Sequence, residues 1–294
     1  MRQQLAVAAT FALAITACAS KEKAVATTDS TGAPASATAA ATTAPAPAPN
    51  VVTVHAKDFS YDSLPNIPAG MTTFQLVNDG KDLHHITIVR IDSGKTLADL
   101  KHELAMPAAP PSWVSLMGGP NAVGPAQESN ATLDLTPGSY AMVCFVDQPG
   151  GVPHFAKGMI RPFTVIAGPA GATAAAPTAD ATIQLSDYAF DVSKPLTAGK
   201  HTIEVKNIGG QAHEAELVRF APGKTMDNLL AWMAKPAGPP PAEFIGGVAG
   251  LSTGENYFSI DLASGNYGLI CFLPDPKDGK PHFMHGMTKT ITVM

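Results

Sequence analysis

The sequence carries one series of short motifs twice, in the same order and with nearly the same spacing. Residues 78–90 match residues 207–219, and gaps of one or two residues align the motifs on either side. Such self-similarity indicates a repeated structural unit. The length of 294 residues also suits two ordinary domains. We therefore expect two tandem domains, called here the first repeat (residues 51–167) and the second repeat (residues 180–294).

The pattern of apolar residues within each repeat indicates β-structure. Apolar and polar residues alternate in several segments, which is typical of strands with one buried face. The segments that we predict as strands are residues 72–77, 85–89, 140–145 and 201–205. Thr96 and Thr225 are placed to cap one short helix each, and Pro107 and Pro236 end these helices. Each repeat is thus predicted to be a β-sandwich of about 115 residues with an inserted helix.

Each repeat also contains a Cys, a His and a Met within one short segment near its end. These residues are Cys144, His154 and Met159 in the first repeat, and Cys271, His282 and Met287 in the second. Thiolate and thioether sulfur combined with imidazole is a ligand set that favours copper. Three other interpretations stay open: inert thiols in the core, a Met that only fills the core, and a disulfide between equivalent positions of the two repeats.

A mononuclear copper site with Cys and Met ligands needs two imidazoles, so a second His is expected upstream. His84 and His213 occupy matching positions in the two repeats. His85 is adjacent to His84, but the second repeat has Glu214 at that position. A ligand that the fold requires should occur in both copies, and neighbours on a strand face opposite sides. We therefore predict His84 and His213 as ligands, and we expect the other histidines to be surface or hydrogen-bonded residues.

Each repeat resembles the cupredoxins, the blue type 1 copper proteins such as plastocyanin, azurin and rusticyanin. The resemblance rests on the turns at residues 78–84 and 207–213, which end in His, and on the Tyr-Xaa-Xaa-Xaa-Cys motifs that begin at Tyr140 and Tyr267. It covers nearly all of both repeats. It implies an all-β fold of two tandem Greek-key β-sandwich domains, each with copper at one end. It also implies two ions that cycle between Cu(I) and Cu(II), one held by His84, Cys144, His154 and Met159 and the other by His213, Cys271, His282 and Met287.

The interval between Cys and His departs from the pattern of the resembled family. Familiar cupredoxins place two to four residues there, whereas the first repeat has nine and the second has ten. The inserted residues are rich in Pro, Gly and Asp. They either bulge outward and leave Cys and His in place, or they pull the His away and open a different geometry. The spectral type and the potential of each site depend on which of these occurs.

The N-terminus has the features of an export signal. Arg2 precedes an apolar run at residues 5–15 that is too short for a membrane span, and Cys18 follows. Residues 1–18 resemble a bacterial lipoprotein signal in which Cys18 is lipidated, which predicts a membrane-attached protein of the cell envelope, on its periplasmic or extracytoplasmic side. The alternative is a secretory signal cut near Ala17, which would give a soluble secreted protein.

Two segments have the composition of linkers. Residues 19–50 are rich in Ala, Thr and Pro and cannot bury a core, so we predict a disordered, semi-extended spacer. Residues 168–179 are predicted to be a shorter linker between the two repeats. The formal net charge is −5 and no basic block occurs, so nucleic acid is not expected as a partner.

Three functions suit two such copper sites. The first is one-electron transfer with a redox partner protein in the envelope; the resemblance implies that His154 and His282 expose an edge as the electron portal. The second is copper storage, delivery or sensing with a copper donor or acceptor. The third is a two-domain copper oxidoreductase, which would need a His beside the Cys. Phe145 and Phe272 follow the Cys instead, so we expect no enzyme. A metal-free pair of sandwiches is the remaining alternative.

Overall fold

The computed structural model describes residues 48–106, 111–168 and 174–294. The predicted signal with Cys18 lies outside these residues, as do nearly all of the first linker and residues 169–173 of the second. Across the described parts of the chain, no helix has both the length and the apolar character needed to cross a membrane.

Strands dominate the secondary structure of both repeats. The first repeat forms β1 (Asn50–Lys57), β2 (Ser60–Tyr61), β3 (Ile67–Pro68), β4 (Gly70–Asn78), β5 (Thr87–Ile91), β6 (Val114–Leu116), β7 (Glu128–Leu135), β8 (Gly138–Val143) and β9 (Ile160–Ile166). The second forms β10 (Ala181–Ser186), β11 (Ala189–Val192), β12 (Gly199–Asn207), β13 (His213–Phe220), β14 (Ala242–Leu251), β15 (Gly254–Leu262), β16 (Gly265–Ile270) and β17 (Thr288–Val293). The helices are α1 (Leu97–Leu104) and α2 (Met226–Ala234), with short 3-10 helices at His154–Lys157 and His282–His285.

Each repeat packs two sheets face to face around an apolar core. In the first, a five-stranded sheet in the order β3-β9-β8-β5-β6 covers strands β1, β4 and β7. In the second, a four-stranded sheet in the order β14-β13-β16-β17 covers β10, β12 and β15. Aromatic side chains fill the first core, where Tyr140 stacks on Phe163 with ring centroids 5.3 Å apart. The predicted all-β sandwich class with short inserted helices is confirmed.

The predicted elements differ from the observed ones mainly beside the candidate ligands. β5 begins at Thr87 rather than at residue 85, because the amide of Ile86 donates to the carbonyl of Pro120 instead of joining the ladder. β8 ends before Cys144, whose amide donates to the carbonyl of Met159. Thr96 and Thr225 occupy the N-cap positions of the two helices, as predicted, and the side-chain cap bond is seen in the first. Thr96 accepts from the backbone of Asp99, 3.2 Å away, and the carboxylate of Asp99 accepts from the amide of Thr96.

The two repeats are joined by one continuous sheet and by a separate set of backbone hydrogen bonds, called here the seam. The eight-stranded sheet has the order β11-β10-β12-β15-β7-β4-β1-β2, and Tyr257 pairs with Thr132 where the repeats meet. The seam is antiparallel and joins residues 117–123 to residues 245–251. Because the two repeats share a sheet, their division into separate domains stays a prediction.

Equivalent residues of the two repeats face each other across the seam. The amide of Asn121 donates to Gly247, and the matching amide of Ala249 donates to Gly119. Gly119 and Gly247 have φ angles of +126° and +121°. A Cβ at Gly119 would also collide with the carbonyl oxygen of Ile86, and one at Gly247 would meet the matching carbonyl of the second repeat. The seam therefore requires glycine at both positions and has the character of an internal two-fold axis.

Candidate metal centres

A side-chain amide shapes the loop that carries the upstream His of each repeat. In the first repeat, the Oδ1 of Asn78 accepts from the amide of Gly80, and its Nδ2 donates to the carbonyls of Asp82 and Val123. Asn207 makes the matching set of bonds in the second repeat. These bonds fix the tight turn that delivers His84 or His213 to the end of the sandwich.

An aspartate orients each upstream imidazole. The Nε2–H of His84 donates to Asp58 at 3.1 Å, and the Nε2–H of His213 donates to Asp187 at 3.0 Å. A carboxylate accepts only, so the proton lies on Nε2 and the Nδ1 lone pair is free for another partner. A Cβ at Gly80 would lie 2.6 Å from Nε2 of His84, so glycine lets the turn close over this pair. Sequence reasoning missed both aspartates, although they occupy matching positions of the two repeats.

The long segment between Cys and His folds outward as a small hairpin. In the first repeat the amide of His154 donates to Val146, and Asp147 pairs with Pro153. In the second repeat the amide of His282 donates to Leu273. The inserted residues therefore leave Cys and His side by side, which decides between the two alternatives that the sequence left open.

Two His-Cys-His groups result, one at the end of each sandwich. The ligand atoms of His84, Cys144 and His154 lie within 4.8 Å of one another, as do those of His213, Cys271 and His282. In the first group Sγ of Cys144 is 3.5 Å from Nδ1 of His154, and Nδ1 of His84 is buried with no hydrogen-bond partner. In the second group Nδ1 of His282 is 3.3 Å from Sγ of Cys271 and 3.1 Å from Nδ1 of His213.

The predicted methionine ligands lie beside the cysteines. The amide of Cys144 donates to the carbonyl of Met159, and the amide of Met159 donates to the carbonyl of His154. Cys271, His282 and Met287 repeat these bonds. Both Met side chains are completely buried and pack in the same apolar clusters as the cysteines. Their role as axial ligands stays a prediction.

Burial keeps the groups of both sites uncharged when no metal is bound. It lowers the pKa of all four imidazoles, that of His282 to about 4. It raises the pKa of Cys144 to about 11 and that of Cys271 further. Neutral imidazole is the form that binds metal, whereas each thiol must lose its proton, so metal binding releases protons and strengthens as the pH rises.

The arrangement fits a metal ion. A metal holds nitrogen and sulfur ligands at about 2.0–2.3 Å, so the ligand atoms lie roughly 3–4 Å from one another. The separations in the second site are already in that range. The unpartnered Nδ1 of His84 is a buried polar atom that a metal would satisfy. Two imidazoles, one thiolate and a nearby thioether are the donors of a trigonal copper site.

The prediction that His154 and His282 expose an edge is wrong. Each is 1% exposed. A ring covers each imidazole edge-on: Phe59 lies 4.9 Å from His154, and Tyr188 lies 5.5 Å from His282, measured between centroids. Phe59 and Tyr188 occupy matching positions, directly after the orienting aspartates, and both have positive φ angles. This backbone conformation directs the ring over the imidazole.

Two further alternatives of the sequence, the disulfide and a place for His85 in the site, are excluded within the described residues. Cys144 and Cys271 are free thiols, so they form no disulfide. His85 is no member of either group and is hydrogen-bonded on both ring nitrogens. His55, His201 and His285 form hydrogen bonds near the surface, as expected.

Comparisons with known proteins find similarity to solved structures, several of them copper proteins. No protein-family model matches the sequence, and no curated protein matches it significantly. The chain is similar to auracyanin from Roseiflexus castenholzii at 24% identity, with 41% of this chain and 99% of that chain covered and a TM-score of 0.28. Auracyanin A from Chloroflexus aurantiacus gives 15% identity, 41% and 100% coverage and a TM-score of 0.30. The copper nitrite reductase from Nitrosomonas europaea is 14% identical, with 83% of this chain and 93% of that chain covered and a TM-score of 0.23. What the two sites do must therefore be argued from the chain's own residues.

Proposed function

We propose that this chain binds one copper ion in each His-Cys-His group and transfers single electrons in the cell envelope. The observation that carries the proposal is the duplicated donor set: two imidazoles and one thiol converge at the end of each sandwich, with a buried Met alongside. Such ligands suit Cu(I) and Cu(II) in one fixed geometry, so an electron is gained or lost with little rearrangement. The envelope location rests on the signal-like N-terminus.

The preformed groups support fixed geometry at both sites. Asp58 and Asp187 hold the upstream imidazoles, and the hairpins hold the downstream ones. A cage that is already assembled needs no folding step when the metal binds or changes its oxidation state. Copper supplies the redox chemistry, and the chain supplies the orientation and the dry surroundings.

The test is reconstitution of the full chain with Cu(II), followed by metal analysis and by visible and EPR spectra. We expect two coppers per chain and an intense thiolate-to-copper absorption that ascorbate bleaches reversibly. Cys144→Ser and Cys271→Ser should each remove one copper and its absorption, while Cys18→Ser, the third cysteine, should leave both. A colourless protein that takes up no copper, or one that prefers zinc, contradicts the proposal.

Copper storage or delivery is a second candidate function. The burial of both downstream imidazoles favours it, because an electron carrier of the resembled family uses an exposed edge as its portal. Under this function the protein would hold Cu(I) tightly and pass it to an acceptor. Rapid electron self-exchange without loss of metal supports electron transfer, whereas transfer of Cu(I) to a chelating acceptor supports storage or delivery.

A further inference from the structure

One position in each repeat contacts the cysteine and also reaches the seam between the repeats. It is occupied by His85 in the first repeat and by Glu214 in the second, directly after the upstream ligand. The amide of Phe145 donates to Nε2 of His85 at 2.8 Å, and the amide of Phe272 donates to Oε1 of Glu214 at 2.7 Å. Both side chains thus hold the backbone that follows the cysteine.

Asn121 joins these two side chains across the seam. Nδ1 of His85 is 3.3 Å from Oδ1 of Asn121, and Nδ2 of Asn121 donates to Oε2 of Glu214 at 3.4 Å. All three residues are at least 90% buried. The amide of Glu214 additionally donates to Sγ of Cys271 at 3.4 Å. The connection therefore runs from Phe145, the residue after Cys144, to the thiol of Cys271.

The hydrogen bonds of this connection are mutually consistent. His85 accepts at Nε2, so its proton lies on Nδ1 and is donated to the carbonyl oxygen of Asn121. The amide nitrogen of Asn121 can then donate to Glu214, and it also bonds the carbonyl of Val248. As a carboxylate, Glu214 accepts with both oxygens. In this protonation state every group in the series has a suitable partner.

We propose that His85, Asn121 and Glu214 form a hydrogen-bonded bridge through which electrons pass between the two metal centres. The inference rests on the proposed copper function. One electron leaves Cu(I) at one site, which becomes Cu(II), and reduces Cu(II) at the other site to Cu(I). Electron tunnelling decays more slowly through covalent and hydrogen bonds than through gaps, so a continuous bonded route favours this transfer. Asn121 is a positioning residue at the centre of the bridge and contacts no predicted ligand.

The test measures transfer between the sites in the full chain loaded with two coppers. The reference protein carries Met159→Leu, so that the two sites differ in absorption and potential. A radiolytic pulse that delivers less than one electron per molecule reduces one site in some molecules and the other site in the rest. The electron then redistributes between the two sites of each molecule. We expect a re-equilibration phase whose rate is independent of protein concentration. Asn121→Ala should abolish this phase on the time scale of the reference protein while copper content and both absorption bands stay unchanged.

Asn256→Ala is the matched control for the central substitution. Asn256 is also a buried asparagine that bonds across the seam, to Gly119 and Met117, but it touches none of the three bridge residues. The second repeat has Ala249 opposite Asn121, which indicates that this position accepts alanine. Asn121→Leu, similar in volume, replaces Asn121→Ala if that variant fails to fold.

Three outcomes overturn the bridge and leave the proposed function intact. One is the absence of the concentration-independent phase from a reference protein with two coloured copper sites. Another is an unchanged phase in Asn121→Ala or Asn121→Leu. A slowed phase in Asn256→Ala as well would assign the effect to the seam as a whole and would also overturn the bridge. Failure of the unsubstituted chain to take up copper is a separate result, because it refutes the proposed function.

Discussion

Asp58 orients His84, so its replacement should weaken metal binding at the first site alone. Oδ1 of Asp58 accepts the Nε2–H of His84 at 3.1 Å and also the amides of Lys81 at 2.8 Å and Asp82 at 3.3 Å. In Asp58→Ala the imidazole loses the partner that fixes its tautomer. The loop that carries it loses two bonds as well.

The expected loss follows from the geometry of this contact. Removing a partner that orients a metal-bound His costs about 10–100-fold in metal affinity, which corresponds to about 1.4–2.8 kcal/mol. The side chain of Asp58 is 31% exposed, so solvent screens part of its charge and the lower end of the range applies. Asp58→Asn can keep all three hydrogen bonds without the charge, and we expect it to lose less than Asp58→Ala.

The assay is competition for Cu(I) against a chromophoric chelator in a Cys271→Ser background, which leaves only the first site. Asp79→Asn is the control, since Asp79 lies on the same loop and pairs with the exposed His55 rather than with a predicted ligand. Asp187→Ala in a Cys144→Ser background should show the same loss at the second site. An unchanged affinity in a folded Asp58→Ala protein would refute the reasoning that this carboxylate orients the ligand.

Two further predictions concern stability and are measured by urea unfolding of the metal-free protein. Tyr140→Phe removes the hydroxyl that donates to the carbonyl of Thr136 at 2.8 Å, so it should lower the free energy of unfolding by about 1 kcal/mol. The matching Tyr267→Phe should have the same effect. Neither substitution should change the copper affinity. Burial raises the pKa of Glu214 to about 7 and that of Glu216 well above its usual value, so the folded state retains protons that the unfolded state releases. These two carboxyls therefore lower the free energy of unfolding as the pH rises from 5 to 8, by about 2.5 kcal/mol for Glu214, whereas the buried imidazoles, whose pKa is lowered, raise it over the same range. Relative to the parent protein, Glu214→Gln with Glu216→Gln should shift the pH dependence toward stability that rises with pH; identical pH profiles of the two proteins would contradict the prediction.

Local sequence signals predicted the elements and most of each candidate site. Alternation gave the long strands β4 and β12, and the capping threonines placed both helices. Alignment of the repeats chose His84 over His85, and the structure places His84 in the His-Cys-His group. The strands, the helix positions and the place of His84 agree with these predictions because each depends on residues close together in the chain or on a requirement that both copies must satisfy; the ligand role of His84 stays a prediction.

Features that depend on contacts between distant segments could not be predicted from the sequence. The fusion of the two sandwiches through Thr132 and Tyr257 is an edge pairing, and alternation within a strand does not reveal its lateral partner. The burial of His154 and His282 arises from rings of the first hairpin in each repeat, more than ninety positions earlier. The matching Asp58-Phe59 and Asp187-Tyr188 pairs were visible in the alignment, but only the fold shows that they face the imidazoles.

The positions at which the repeats differ explain what a duplicated chain gains over a symmetric dimer. At a two-fold seam between identical copies every contact occurs twice, with residue i of one copy on residue j of the other and the reverse. Here Glu214 stands opposite His85 in the alignment, and Asn121 stands opposite Ala249. One amide can therefore accept from the histidine and donate to the carboxylate. Two identical copies would offer either two such amides or none, so the single bridge requires that the repeats diverged at the seam while the ligand positions stayed the same.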